Sequence, residues 1–266
     1  VQDVAVNESS NQRQILVSWT ALQVVIGIFC LVLGTCTTLL AVALLLFTIG
    51  DVDPALVAAI SSLALGIIIL VIVWNFALRS NNGSFVCLGI RSSCISGWVL
   101  ACWTGGMFLV SVLFTGVYTI CVRELGIEGL LPPENYGDIL LDDVWLTVSF
   151  AALALWTPFT EELFFRGFVY KGFSQRFGQL KAILISAGIF SAFHVLAGPG
   201  VLIPIFVSGI ALAWLYHRTG SVWPSIVVHA IQNSLALIAS IYTLDGPTLG
   251  VIIFEEVFNR LLGFVT

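Results

Sequence analysis

Three groups of polar residues interrupt the apolar second half of this chain, and their types could do proton-transfer chemistry. In chain order they are Glu161, Glu162, Arg166, His194, His229 and Asn233. A carboxylate inside a membrane-spanning helix costs roughly 2.5 kcal/mol or more, so an acid doublet there needs a reason beyond packing. One free carboxylate, two imidazoles and an amide could activate a water molecule and stabilise an oxyanion.

The spacing around the doublet gives its two acids different surroundings. Glu162 and Arg166 are four residues apart, so they share a helix face and can form an ion pair, which leaves Glu161 free to point elsewhere. Pro158 lacks an N–H group, and it is predicted to free the carbonyl of Ala154 and to kink the helix just before the acids. An ion pair that only joins two helices would explain the same residues, so both interpretations stay open at this point.

The two histidine groups can reach the same membrane layer as the doublet. Taken alone, His194 could be a hydrogen-bonded packing residue, and His229 with Asn233, four residues apart, could form an interhelical hydrogen bond. At about 1.5 Å per residue from the predicted inner membrane edge, Glu161 lies about 10 Å deep, His194 about 20 Å, His229 about 12 Å and Asn233 about 18 Å. Independent packing residues have no need to share a layer, so this convergence favours one site.

The residue types predict attack by water on a carbonyl group. Burial makes a carboxylate a better proton acceptor, so Glu161 is the candidate general base, assisted by His194. His229 and Asn233 can donate to the developing oxyanion. Two histidines and one glutamate also form a known catalytic zinc set, so a divalent metal such as zinc on Glu161, His194 and His229 stays open. Metal-free catalysis is favoured because HExxH is absent and the three residues come from different predicted helices.

Composition places these residues in a polytopic, all-α membrane protein. The 266 residues are 59% hydrophobic and 9% charged, with a mean hydropathy of +1.05, whereas a soluble domain has about 25% charged residues. The first apolar segment is predicted to be one long, tilted helix, because neither proline nor charge marks a turn inside it. About eight apolar segments are long enough to be candidate membrane spans, namely 16–49, 55–78, 97–121, 143–168, 182–197, 201–216, 222–242 and 247–265.

The basic residues orient these segments. With eight spans and both termini in the cytoplasm, nine of the ten basic residues lie on the cytoplasmic side and Arg123 alone lies outside. The chain is therefore predicted to comprise a polar tail (1–14), N-terminal membrane helices (15–142) with a cytoplasmic connector (79–97) and an outer loop (122–142), a catalytic core (143–242) and a last membrane helix (243–266).

The polar groups, taken in order, resemble a known family of membrane proteases. EExxxR (Glu161, Glu162, Arg166), FxxxH (Phe190, His194) and HxxxN (His229, Asn233) look like the motifs of the CPBP family, the CAAX-protease and bacteriocin-processing peptidases related to the Ras-converting CAAX endopeptidase. The segment 218–226 (RTGSVWPSI) is typical of the bacterial members. The resemblance covers about residues 143–240.

The resemblance implies an eight-helix intramembrane endopeptidase of the bacterial cytoplasmic membrane, with a cavity that opens laterally and toward the cytoplasm. It implies that Glu161 and His194 activate water and that His229 and Asn233 form the oxyanion site, and it does not settle the metal. We expect a membrane-associated protein or peptide substrate, contact with the lipid bilayer and no nucleic-acid partner. Two alternatives remain: a proton- or ion-coupled transporter, for which intramembrane Glu and His are equally ordinary, and a non-catalytic, immunity-type protein that binds a peptide in the same cavity.

Overall fold

The computed structural model describes residues 17–50, 52–95, 97–131 and 143–242, and these residues form helices and turns without any β-strand. The predicted tail (1–14), much of the predicted outer loop and the last predicted span (247–265) lie outside the described residues. Within the described ranges the α-helices are α1 (Ala21–Ile49), α2 (Pro54–Val73), α3 (Gly97–Glu124), α4 (Asp143–Phe150), α5 (Thr157–Glu162), α6 (Lys171–Phe177), α7 (Gln179–Ala192), α8 (Leu202–Thr219) and α9 (Trp223–Tyr242).

Several of these helices are suited to a bilayer. Within the described ranges, four helical stretches are long and apolar enough to cross a membrane: Ala21–Ile49, Pro54–Asn81, Gly97–Glu124 and Pro199–Thr219. The all-α class and the membrane character are thereby confirmed. The count of eight spans and the cytoplasmic placement of both termini stay predictions.

The first apolar segment forms one uninterrupted helix, as predicted. Its start is fixed by a capping box, in which the Gln23 backbone N–H donates to the Thr20 hydroxyl and the Thr20 backbone N–H donates to the Gln23 side chain. At about 1.5 Å per residue, α1 is about 44 Å long, which exceeds a hydrocarbon core of about 30 Å and fits a tilted helix. Large apolar side chains such as Phe29 and Phe47 are exposed on its surface, as lipid-facing residues are.

The acid doublet lies on a continuous helix that is irregular at two places. Residues 143–177 run through α4, α5 and α6 without a break, joined by a first π segment (Ala151–Trp156) and a second π segment (Leu163–Tyr170). All eight residues of the second π segment are buried, and its phenylalanines belong to the main apolar core. π-Helical geometry is rare and often marks functional sites. The short α5, with both acids, is thus held between two such segments.

The predicted fifth span, 182–197, is too long. Helix α7 has 14 residues and ends at Ala192, so it is about 21 Å long, and His194 lies in the turn that follows. Two short 3₁₀ turns, Val195–Ala197 and Pro199–Val201, then lead into α8. Between the two 3₁₀ turns, Gly198 adopts a positive φ of +101° and precedes a proline, a position that disfavours the α conformation and keeps α7 from continuing into α8. His194 is therefore a turn residue at a helix end and does not lie deep inside a span.

The connector after α2 is docked on the rest of the protein. The Val222 N–H donates to the Gly89 carbonyl at 2.9 Å, and the Tyr216 hydroxyl donates to the Leu88 carbonyl at 3.1 Å. Arg91 Nε donates to the Gly220 carbonyl at 2.8 Å, in the turn between α8 and α9. These contacts fix the start of α9, the helix that presents His229 to the doublet.

Candidate active site

Glu162 and Arg166 form the ion pair that their spacing predicts. Arg166 Nη1 lies 2.8 Å from Glu162 Oε1, and both side chains are fully buried. The guanidinium also lies 4.5 Å from the centre of the Phe190 ring, and its Nη2 is 3.4 Å from the Gly209 carbonyl oxygen. Glu162 is therefore held in place by a buried cation that is itself fixed by α7 and α8.

His229 connects the two acids. Its Nδ1 lies 2.9 Å from Glu162 Oε1, and because a carboxylate accepts hydrogen bonds, Nδ1 carries a proton. The other ring nitrogen, Nε2, lies 3.8 Å from Glu161 Oε2, which is beyond hydrogen-bond distance. Glu162 thus orients the imidazole so that Nε2 faces Glu161.

Glu161 has the opposite surroundings from its neighbour. Its side chain is 19% exposed, against 0% for Glu162, and it lines a cavity of about 290 Å³ between α2 and the acid-bearing helix. Each acid has one buried carboxylate oxygen, Oε2, without a hydrogen-bond partner within the described part of the chain, so exposure distinguishes them. Of the two acids, Glu161 is therefore the one that a molecule in the cavity can reach.

His194 is linked to this group through an aromatic ring that both histidines contact. Its Nδ1 is 2.9 Å from the Phe190 carbonyl oxygen, so Nδ1 donates and Nε2 keeps its lone pair. The Phe190 ring packs edge-to-face on both imidazoles, with centroids 4.9 Å from His194 and 5.5 Å from His229. Across the described ranges, no hydrogen bond joins His194 to Glu161.

Asn233 contacts the backbone of the acid-bearing helix. Its Nδ2 donates to the Leu153 carbonyl at 2.9 Å. At the end of the first π segment the Thr157 N–H donates to the Ala152 carbonyl, five residues earlier. With the same spacing, residue 158 would donate to the Leu153 carbonyl, but Pro158 has no N–H. The prediction that Ala154 loses its partner is off by one residue, because it assumed α-helical spacing. Asn233 supplies the missing donor and keeps a second amide hydrogen.

The sequence left a divalent metal on Glu161, His194 and His229 open. Among the residues that the structure describes, no group of three or more His, Cys, Asp or Glu side chains is arranged to hold a metal ion. In the predicted set of Glu161, His194 and His229, both Nδ1 atoms are held by a carbonyl or a carboxylate, and only the Nε2 atoms could face a ligand. The three predicted ligands are not gathered into such a group in the described ranges, the metal question stays as the sequence left it, and we derive no step through a metal.

Three residues near the acids were given no role by the sequence analysis. Phe190, which belongs to a quoted motif, is the packing centre between both histidines and Arg166. Ser62 and Thr157 line the cavity beside Glu161, and their hydroxyls contact each other across two helices. The serine pair at 61–62 in an otherwise apolar helix was the available signal.

Comparison with known protein families supports the resemblance that the motifs and their order indicate. Residues 143–235 match the family described as Rce1-like, Type II CAAX prenyl endopeptidase Rce1-like. The matched stretch contains all six candidate residues, and it confirms the resemblance to the CAAX protease family for this part of the chain. Searches of curated proteins and of solved structures found no match.

Proposed function

We propose, from the premise that residues 143–235 belong to the Rce1-like family of CAAX endopeptidases, that this chain is an intramembrane endopeptidase. Its substrates are proposed to be membrane-associated proteins or peptides. One observation carries the proposal: two adjacent acids have opposite surroundings. Glu162 is fully buried and paired with Arg166 and His229, whereas the Glu161 side chain is partly exposed and lines the cavity.

The proposed mechanism assigns the proton transfers to Glu161 and His194. Glu161 takes a proton from a water molecule in the cavity, and the resulting hydroxide attacks the carbonyl carbon of the scissile peptide bond. His194 Nε2, whose lone pair is free because Nδ1 donates to Phe190, is a second proton acceptor near the site. The proton held by Glu161 then passes to the leaving amine as the C–N bond breaks.

The oxyanion is proposed to bind to His229 and Asn233. Glu162 fixes the His229 ring through Nδ1, and Nε2, when it carries a proton, faces Glu161 Oε2 at 3.8 Å. Asn233 uses one amide hydrogen on the Leu153 carbonyl and has one left for the substrate. A donor pair fixed before the reaction costs no reorganisation when charge develops.

The proposed location is the cytoplasmic membrane of a bacterium, with the cavity open toward the cytoplasm. The basic residues around the docked connector support this orientation: Arg91 reaches the α8–α9 turn, and Lys171 Nζ donates to the Cys87 carbonyl at 2.8 Å. Cytoplasmic loops of membrane proteins are enriched in such residues.

The proposal is tested by comparing the membrane peptidomes of cells that make the unaltered protein and cells that make Glu161→Gln. Peptides that disappear in Glu161→Gln, and persist in a Glu128→Gln control at an exposed loop acid, are expected. Identical peptidomes would contradict the proposal. Solute flux that depends on Glu161 in proteoliposomes would favour the transporter, and full biological activity of Glu161→Gln would favour the non-catalytic alternative.

A further inference from the structure

A group of hydroxyls holds the acid-bearing helix where its first π segment ends. The Ala152 carbonyl accepts three hydrogen bonds: from the Thr157 backbone N–H, from Thr157 Oγ1 at 3.0 Å and from Ser62 Oγ at 3.2 Å. Ser62 Oγ and Thr157 Oγ1 also contact each other. We call Ser62, Thr157 and the Ala152 carbonyl the hydroxyl clamp.

The hydroxyl clamp lies one helical turn from Glu161. Thr157 and Glu161 are four residues apart on α5, and both line the same cavity, so they share one face of the helix. Helix α5 has only six residues and lies between two π segments, so its rotation about its own axis is decided at its ends. At the end before the acids, two external side chains reach it: Ser62 from α2 and Asn233 from α9.

We propose that Ser62 and Thr157 are positioning residues, which fix the rotation of α5 and thereby the direction in which the Glu161 carboxylate enters the cavity. The inference rests on the proposed function and adds a residue, Ser62, that lies outside the family-matched stretch. A second contact between the same helices supports it: the buried Ser149 hydroxyl donates to the Ala55 carbonyl at 3.0 Å, so α2 is tied to the acid-bearing helix at two levels.

Thr157 offers a matched pair of variants. Thr157→Val keeps the shape of the side chain and removes the hydroxyl, whereas Thr157→Ser keeps the hydroxyl and removes the methyl group. Ser61→Ala is the control on α2, because Ser61 also lines the cavity but donates within its own helix, to the Val57 carbonyl. The substrate is a membrane peptide identified by the peptidome comparison.

Removal of a hydroxyl from the hydroxyl clamp should lower kcat with little change in KM. Thr157→Val should lower kcat about tenfold, and Ser62→Ala/Thr157→Val about 10²-fold, since a misplacement of about 1 Å can cost that much. Thr157→Ser and Ser61→Ala should stay within about threefold of the unaltered protein. Thermal denaturation of each variant in detergent identifies any variant that has lost its fold.

A second readout needs no substrate. Dicyclohexylcarbodiimide modifies carboxyl groups buried in membranes, and mass spectrometry measures its rate of attachment to Glu161. The rate should change in the folded double variant and should be unaltered in Thr157→Ser. If Thr157→Val and the double variant keep both the unaltered kcat and the unaltered labelling rate, the inference is overturned. If Glu161→Gln itself cleaves normally, the proposed function fails instead. The labelling rate alone then tests whether the hydroxyl clamp positions Glu161.

Discussion

Removal of the Arg166 charge should destabilise the fold, because it leaves Glu162 buried without its cation. Arg166→Met keeps a long, apolar side chain in the same space. In the structure the two charged groups are 2.8 Å apart and fully buried. At an effective dielectric constant of about 20 this distance corresponds to an attraction of about 6 kcal/mol, which the loss of hydration of both groups largely offsets.

Removing one partner of the ion pair lowers the free energy of unfolding by more than the intact pair contributes to it. Loss of one partner from a buried ion pair typically costs about 3–5 kcal/mol, since the remaining charge cannot regain water. We expect Arg166→Met to lower the free energy of unfolding by that amount. In Glu162→Gln/Arg166→Met no charge is stranded, so the double variant should lose less than the sum of the two single variants.

The assay is unfolding in mixed detergent micelles, followed by tryptophan fluorescence, for the two single variants, the double variant and the unaltered protein. Arg176→Met is the control, because Arg176 is exposed at the end of α6, and it should change the unfolding free energy by no more than about 0.5 kcal/mol. If Arg166→Met behaves like Arg176→Met, or if the two single effects simply add, the pair does not hold Glu162 in the way inferred here.

Two further predictions concern packing and pH. Gly66→Ala should cost about 1–3 kcal/mol of stability because its new Cβ would overlap the Trp156 indole. Gly105→Ala, with open space around the new Cβ, should be neutral or slightly stabilising. Equal melting temperatures of the two variants would refute this prediction. Lys171 lies beyond the predicted end of its span, and burial, with a smaller effect of Arg91, lowers its pKa from 10.5 to about 8. The unfolded chain then holds this proton more tightly, so stability should rise between about pH 8 and 10.5; Lys171→Met should show a smaller rise, and an identical rise would contradict the assignment.

The sequence predicted those features that depend on spacing along one helix. The Glu162–Arg166 pair follows from an interval of four residues, and it is present as an ion pair. The single helix α1 follows from the absence of a proline or charge within its apolar segment. Both are local properties, so no knowledge of neighbouring helices is needed to predict them.

Features that depend on helix register or on contacts between helices could not be predicted in the same way. The position of the freed carbonyl, at Leu153, depends on a π register that arises where α2 and α9 hold the helix. His194 was assigned to the interior of a span because the apolar run continues past Ala192, where the helix ends, and hydropathy alone does not show that end. The approach of Ser62 to Thr157 spans 95 positions of sequence, and no local pattern encodes it.

The most direct test of the account is single-turnover cleavage of an identified membrane peptide by purified Glu161→Gln protein in liposomes. Loss of the general base should slow cleavage by about 10²–10⁴-fold, and the melting temperature should be unchanged because the Glu161 oxygen that faces His229 makes no hydrogen bond within the described residues. Cleavage by Glu161→Gln at the unaltered rate would contradict the assignment of Glu161 as the water-activating residue.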